Sequence, residues 1–188
     1  MSNKHLRFYI IAFLTLTFGF SYRVFAKGKL DISTGYYIFQ AETDTETKEL
    51  ANFGVSRILY RSGLFRNFEF GLGYSLLLTK IISGDMSYGP DIGIYYYPIT
   101  QPDIDVQSGA SSVWLSSLFR PFVGGSFHQR QFQSVQSSYA GFGLSFGSEY
   151  NYSKELMFKG EFRYMLLQGP SAYQANQMDL LLGITLPF

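Results

Sequence analysis

Cysteine is absent from the 188-residue chain, which excludes disulfide frameworks, cysteine-based metal sites and thiol catalysis. Charge is scarce as well, with 15 Lys+Arg against 14 Asp+Glu, 15% of all residues and a formal net charge of +1. So even a balance disfavours a nucleic-acid binder. Low charge beside 19% aromatic content is equally unlike a disordered chain. Histidine occurs twice, as His5 and His128, and no cluster has metal-ligand spacing. No glycine-rich phosphate loop leads into a helix, so no cofactor is expected. The one extended apolar run, Phe8 to Phe20, has 13 residues. A spanning helix needs about 20. What the chain has in quantity is Tyr (15), Phe (19), Trp (1) and Gly (19), together 54 of 188 residues. Its length suits a single domain.

The apolar run follows Lys4 and Arg7 and leads to Val24 and Ala26. A basic start, an apolar middle and a small residue at the end predict a secretory signal peptide over 1–26, leaving 27–188 as the mature chain. The leader holds Lys4, Arg7 and Arg23 and no acid, so the mature chain has 12 basic and 14 acidic residues and a net charge of −2. Any membrane insertion of that chain must come from strands.

Strand periodicity dominates the remainder. Phe68, Phe70, Leu72, Tyr74, Leu76 and Leu78 alternate with Glu69, Gly71, Gly73, Ser75 and Thr79, Leu77 being the exception. Such period-2 alternation predicts a strand. It recurs over Leu30–Gln40, Tyr88–Tyr96, Ala140–Tyr150, Leu156–Leu166 and Met178–Phe188. Leu50–Arg61 is less regular, because Phe53, Val55 and Leu59 share a parity with Arg57 and Arg61. A bulge near Ser56-Arg57 repairs this and turns both arginines inward. In Arg120–Phe132, Val123 and Phe127 face one way, while Phe122, Gly124, Ser126, His128 and Arg130 face the other.

The two faces differ in kind. One is Phe, Leu, Ile and Tyr; the other is Gly, Ser and isolated charges. A soluble barrel or sandwich points its apolar face inward and covers the outside with Lys and Glu. Here the small polar face gives poor cover against water but fits the inside of a narrow barrel, and the apolar face fits lipid. Tyr36, Tyr60, Tyr96, Tyr150 and Tyr164 are expected near strand ends, as interfacial girdles. The predicted fold is all-β: a closed antiparallel transmembrane barrel, an up-and-down meander of eight strands, with ten possible.

The last eight residues, Leu181 to Phe188, resemble the C-terminal assembly signal of bacterial outer-membrane barrels through Gly183, Leu186 and Phe188. That signal has a polar residue where Leu181 stands. Over residues 28–188 the pattern is similar to the small eight-stranded OmpA/OmpX-type barrels. The resemblance implies an outer membrane of Gram-negative type, with lipid including lipopolysaccharide and the barrel assembly machinery as partners. It implies no shared activity.

With eight strands both termini fall on the periplasmic side, and Ala41–Glu49, Lys80–Asp85, Gln133–Ser138 and Gln168–Gln174 become the outer loops. The long connection Pro98–Phe119 is then periplasmic. Its Ser111–Leu118 part, with Val113, Trp114 and Leu115, reads as a short amphipathic helix or, in a ten-stranded barrel, as two further strands.

Inward parity collects Glu69, Asp91, Glu149, Lys159, Glu161, Arg163 and Asp179 as a lumen charge network, joined by Asp31, Arg57, Arg61, Arg120 and Arg130. Symmetry of the last hairpin about Ser171 sets Arg163 opposite Asp179. Charges in a closed core must pair, so a structural network is the first reading and an ion path the second. Ser126 and His128 share a face and are the only candidates for nucleophilic catalysis, which would also require an orienting carboxylate. A polar His at the rim near an outer loop is the plainer reading. The acidic segment Glu42, Asp44, Glu46 and Glu49 is either a solvated loop or a site for divalent cations that bridge lipopolysaccharide. The expected function is a structural or envelope-interaction protein without catalysis. A narrow channel and a lipid A-modifying enzyme are the alternatives.

Overall fold

A computed structural model describes residues 28–42, 47–65, 67–80, 85–99, 104–108, 111–115, 118–132, 137–170 and 174–188. The expected leader lies outside these residues, as do Asp44 and Glu46 of the acidic segment. The strands are β1 (Gly28–Glu42), β2 (Thr47–Phe65), β3 (Phe68–Lys80), β4 (Asp85–Tyr96), β5 (Ile104–Ser108), β6 (Ser111–Leu115), β7 (Phe119–Phe132), β8 (Ser137–Asn151), β9 (Met157–Gln168) and β10 (Gln174–Pro187). Eight of them close into an antiparallel barrel in the order β1-β10-β9-β8-β7-β4-β3-β2. The seam between β1 and β10 runs without a break from Lys29↔Pro187 to Ala41↔Ala175. Beyond it, Phe188 N donates to Gly28 O at 2.9 Å and Gly28 N to Phe188 O at 3.1 Å. The all-β, closed up-and-down architecture expected from the alternation is the one the chain adopts.

The connection between β4 and β7 departs from both expectations for it. Residues Ser111–Leu115 form a strand, not a helix, and β5 and β6 pair only with each other, from Ile104↔Leu115 to Ser108↔Ser111. Val and Trp favour extended backbone. At five residues each, these strands are well short of the ~9–11 that a barrel stave needs. The barrel therefore has eight strands and not ten. The β2 bulge also lies upstream of Ser56-Arg57. Gly35 pairs with Val55 and Tyr36 with Phe53, so Gly54 is the extra residue. Val55 consequently turns inward, together with Arg57, Leu59 and Arg61.

Parity then sorts the wall. Ile58, Leu72, Tyr74, Ile92, Ile94, Phe142, Leu144, Phe146, Leu166, Leu180 and Leu182 are exposed on the outside. Among the described side chains of the eight barrel strands, no outward position carries Asp, Glu, Lys or Arg. Outward aromatics pair at the end of the barrel where the termini lie: Phe68 with Tyr96 at 4.9 Å, Tyr152 with Phe158 at 5.8 Å and Tyr60 with Phe188 at 6.1 Å between ring centroids. Tyr36 and Tyr164 sit further into their strands than a girdle requires.

Inside, the two ends of the lumen differ. Toward the loop end, Tyr37, Phe39, Val55, Leu77, Phe132, Met165, Leu167, Ala175 and Leu181 form one buried apolar cluster. Toward the termini end lies a smaller one of Leu59, Tyr95, Tyr97 and Phe122. Two glycines mark places where strands approach too closely for a side chain. A Cβ on Gly183 would stand 2.3 Å from Ile32 O, and one on Gly89 would stand 1.9 Å from Gln129 O.

Candidate functional site

The polar lumen is built by period 2 alone. Each strand places every second residue inside, and the barrel is narrow enough for side chains from opposite strands to meet. Thirteen Asp, Glu, Lys and Arg residues enter it, in two connected groups.

The group at the termini end is held by Arg61. Its guanidinium meets Asp31 at 2.7 Å, Glu69 at 2.8 Å and also Glu149. Lys159 bridges Asp31 at 2.7 Å and Glu161 at 3.0 Å, and Arg57 closes on Glu161 from β2. At the mouth, Lys29 contacts Glu69 at 2.6 Å, while Arg120 lies 3.5 Å from Glu69 and 3.6 Å from Glu149. The Arg120 guanidinium also stacks on Tyr97, 4.6 Å from its ring centroid. The bases Lys29, Arg57, Arg61, Arg120 and Lys159 thus face the acids Asp31, Glu69, Glu149 and Glu161.

The middle group centres on Asp91. Its Oδ1 accepts from Arg130 at 2.8 Å and from His128 Nδ1 at 2.7 Å. Its Oδ2 accepts from Arg163 at 3.1 Å and from Ser75 Oγ. Four donors match the roughly four lone-pair positions of a carboxylate. Arg163 continues to Asp179 at 2.5 Å, its register partner across β9 and β10, and Gln177 also donates to Asp179, at 2.8 Å. Two bases and two acids balance here.

All seven residues of the sequence-derived network therefore lie inside the barrel, and each is buried. Asp31, Arg57, Arg61, Arg120 and Arg130 join them. Sequence reasoning passed over Lys29, which shares the parity of Asp31 at the strand end, and Tyr97, which donates to Glu149 at 2.8 Å. It also passed over Ser75 as a partner of Asp91.

His128 is not a rim residue. It is fully buried beside Asp91. A carboxylate only accepts, so His128 donates from Nδ1, and Nε2 is left to accept from Ser126 Oγ at 2.6 Å. Ser126, His128 and Asp91 thus have the connectivity of a nucleophilic triad. They lie between two fillings of the lumen. The apolar cluster closes the lumen on the loop side, and Tyr95, Phe122 and the Arg61 group close it on the other. Asp91 is shared with two arginines and Ser75 instead of being reserved for the imidazole. The arrangement ties β3, β4 and β7 to one another laterally and to β9 through Arg163, and Ser126 itself is half-buried. No group of three or more His, Asp or Glu among the described residues is placed to hold a metal ion.

Of the assembly-signal residues, Gly183 packs against the β1 backbone, Leu186 pairs with Leu30, and the Phe188 ring leans on Tyr60. Leu181, at the position where the signal is polar, is buried in the loop-side apolar cluster.

No protein-family model matches the sequence, and neither does any curated protein. Solved structures do match. Neisserial surface protein A (NspA) is similar over 86% of this chain and 97% of its own, with a TM-score of 0.59 and 12% identity. The outer membrane protein OprG of Pseudomonas aeruginosa matches over 87% of this chain and 96% of its own, with a TM-score of 0.51 and 12% identity. The N-terminal barrel domain of OprF from the same species covers 86% and 97%, with a TM-score of 0.50 and 10% identity. At these identities what is shared is the fold, that of small outer-membrane barrels.

Proposed function

We propose that the chain is an integral outer-membrane protein with a structural or envelope-interaction role, its lumen filled by its own side chains. One observation carries this reading: every described charge of the barrel strands is inside, and the outside is a predominantly apolar and aromatic wall. Water would leave that wall exposed far beyond the ~300–600 Å² patch of an ordinary soluble monomer. A bilayer covers it, and closure leaves no unpaired edge in hydrocarbon. Both termini face the periplasm, Gly183, Leu186 and Phe188 engage the barrel assembly machinery, and membrane lipid including lipopolysaccharide surrounds the wall. Every charge in the two ionic groups has a partner of opposite sign, which favours a structural lumen over an ion path.

Heat-modifiable gel migration of refolded protein tests the barrel in lipid; identical mobility before and after boiling overturns it. Planar-bilayer recording tests the filled lumen. A flat trace is expected, and reproducible conductance steps favour a channel.

A further inference from the structure

We infer that the outer wall carries a seat for a glycolipid, with an uncharged, hydroxyl-rich headgroup, in a groove across β7–β10 just below the loop end. The inference rests on the membrane reading above. The groove encloses about 420 Å³, within the ~300–1,000 Å³ of small-molecule sites. Its lower part is apolar: Phe127, Phe142 and Leu166 are 37%, 73% and 58% exposed, and the two Phe rings meet edge to face at 5.5 Å. Ala140, on the outward parity of β8 directly above Phe142, opens the notch, because its neighbours are large and it is a methyl group. The upper part is a rim of amides from Gln168, Gln174 and Asn176.

An acyl chain fits the lower part and a hydrogen-bonding headgroup the upper. Charge then narrows the headgroup. The sequence holds no Asp, Glu, Lys or Arg from Gln131 to Ala140 or from Leu166 to Met178, the two stretches that border the groove. At the same end of the opposite half, β1 to β4 carry Glu42, Lys48, Glu49, Lys80 and Asp85. A phosphate headgroup finds no cation at this groove, whereas amides both donate to and accept from sugar hydroxyls. A second outward groove of about 430 Å³, over Gly125 between Ile94 and Leu144, is lined by no amide and serves as an internal control.

The test uses the refolded chain in phosphatidylcholine vesicles containing either glucosyl diacylglycerol or phosphatidylglycerol, each bearing a photoactivatable acyl chain. Cross-linked peptides are mapped by mass spectrometry. The glucosyl probe is expected to label the Ala140–Phe142 and Leu166–Asn176 peptides about fivefold more than the phosphatidylglycerol probe, the scale of one net hydrogen bond. The two probes should label the control groove equally. Ala140→Trp fills the notch and should remove the preference. The double variant Gln168→Leu/Asn176→Leu, which leaves the lumen untouched, should do the same and serves if Ala140→Trp does not refold. Equal labelling by both probes at the amide groove, or a preference that survives both variants, overturns the glycolipid seat while leaving the membrane reading standing. A chain that acquires no heat-modifiable form in either vesicle overturns both.

Discussion

The two halves of the lumen solve one problem in opposite ways. At the loop end the interior is filled by Tyr37, Phe39, Leu77, Phe132, Met165 and Leu181, with Phe39 packed against Phe132 at 4.9 Å and against Tyr139 at 5.6 Å. From the middle to the termini end it is filled by ions that compensate one another. An apolar filling relies on volume and tolerates a small loss by partial collapse. An ionic filling relies on completeness, because removing one partner leaves the others buried and unpaired. The ionic half should therefore be the more brittle of the two.

Asp91→Ala tests the contrast at its sharpest. It strands Arg130, Arg163 and His128 together, and a loss of about 3–5 kcal/mol, or failure to refold, is expected in urea titrations of the detergent-refolded protein. Leu77→Ala in the apolar half should cost about 2–4 kcal/mol by the same measurement. A larger loss for Leu77→Ala than for Asp91→Ala would reverse the contrast. Arg163→Met and Asp179→Leu refine it: together they should cost less than the sum of the two single changes, by about 1–3 kcal/mol. Strict additivity would mean that the pair at 2.5 Å is not coupled. Ser126→Ala should have the smallest effect, about 1 kcal/mol or less. The same residue should resist a fluorophosphonate probe. Labelling of Ser126 that His128→Ala abolishes would instead make Ser126, His128 and Asp91 a working nucleophilic site.

Much of this was legible in the sequence, for a physical reason: a barrel wall one strand thick converts parity directly into inside and outside. The alternation of β3, β9 and β10 yields the apolar wall, and hairpin symmetry about Ser171 yields the register of Arg163 with Asp179. Contacts beyond a tight hairpin are another matter. Asp91 is the register partner of His128 across β4 and β7 and a lateral neighbour of Ser75 and Arg130, but the long connection between β4 and β7 hides that register in the sequence, and Arg163 reaches Asp91 from the non-adjacent β9. That is why His128 reads as a rim residue and Ser126 as lacking a carboxylate. The apolar plug left faint marks. Leu77 breaks the alternation of β3 and Leu181 breaks the polar position of the terminal signal, and both are fully committed to the plug. In β2, a single Gly54 displaced the parity by one residue, and a side-chain pattern locates such a shift only to within a few positions.

The cross-lumen pairs bear on how such a wall can be assembled. Arg57 of β2 meets Glu161 of β9, and Asp31 of β1 meets Lys159 of β9, partners separated by 104 and 128 residues. A curved sheet holding only the first half of the chain would present Asp31, Arg57 and Arg61 along its concave side with their β9 and β8 partners still unmade. Such a sheet cannot rest in hydrocarbon as a stable halfway stage. The arriving second half brings Glu149, Lys159 and Glu161 at once, so the cross-lumen pairs are complete only when the first and last strands join. In this protein the seam between Gly28 and Phe188 acts as a commitment point: before it forms the chain is a liability to the bilayer, and afterwards every charge has been answered.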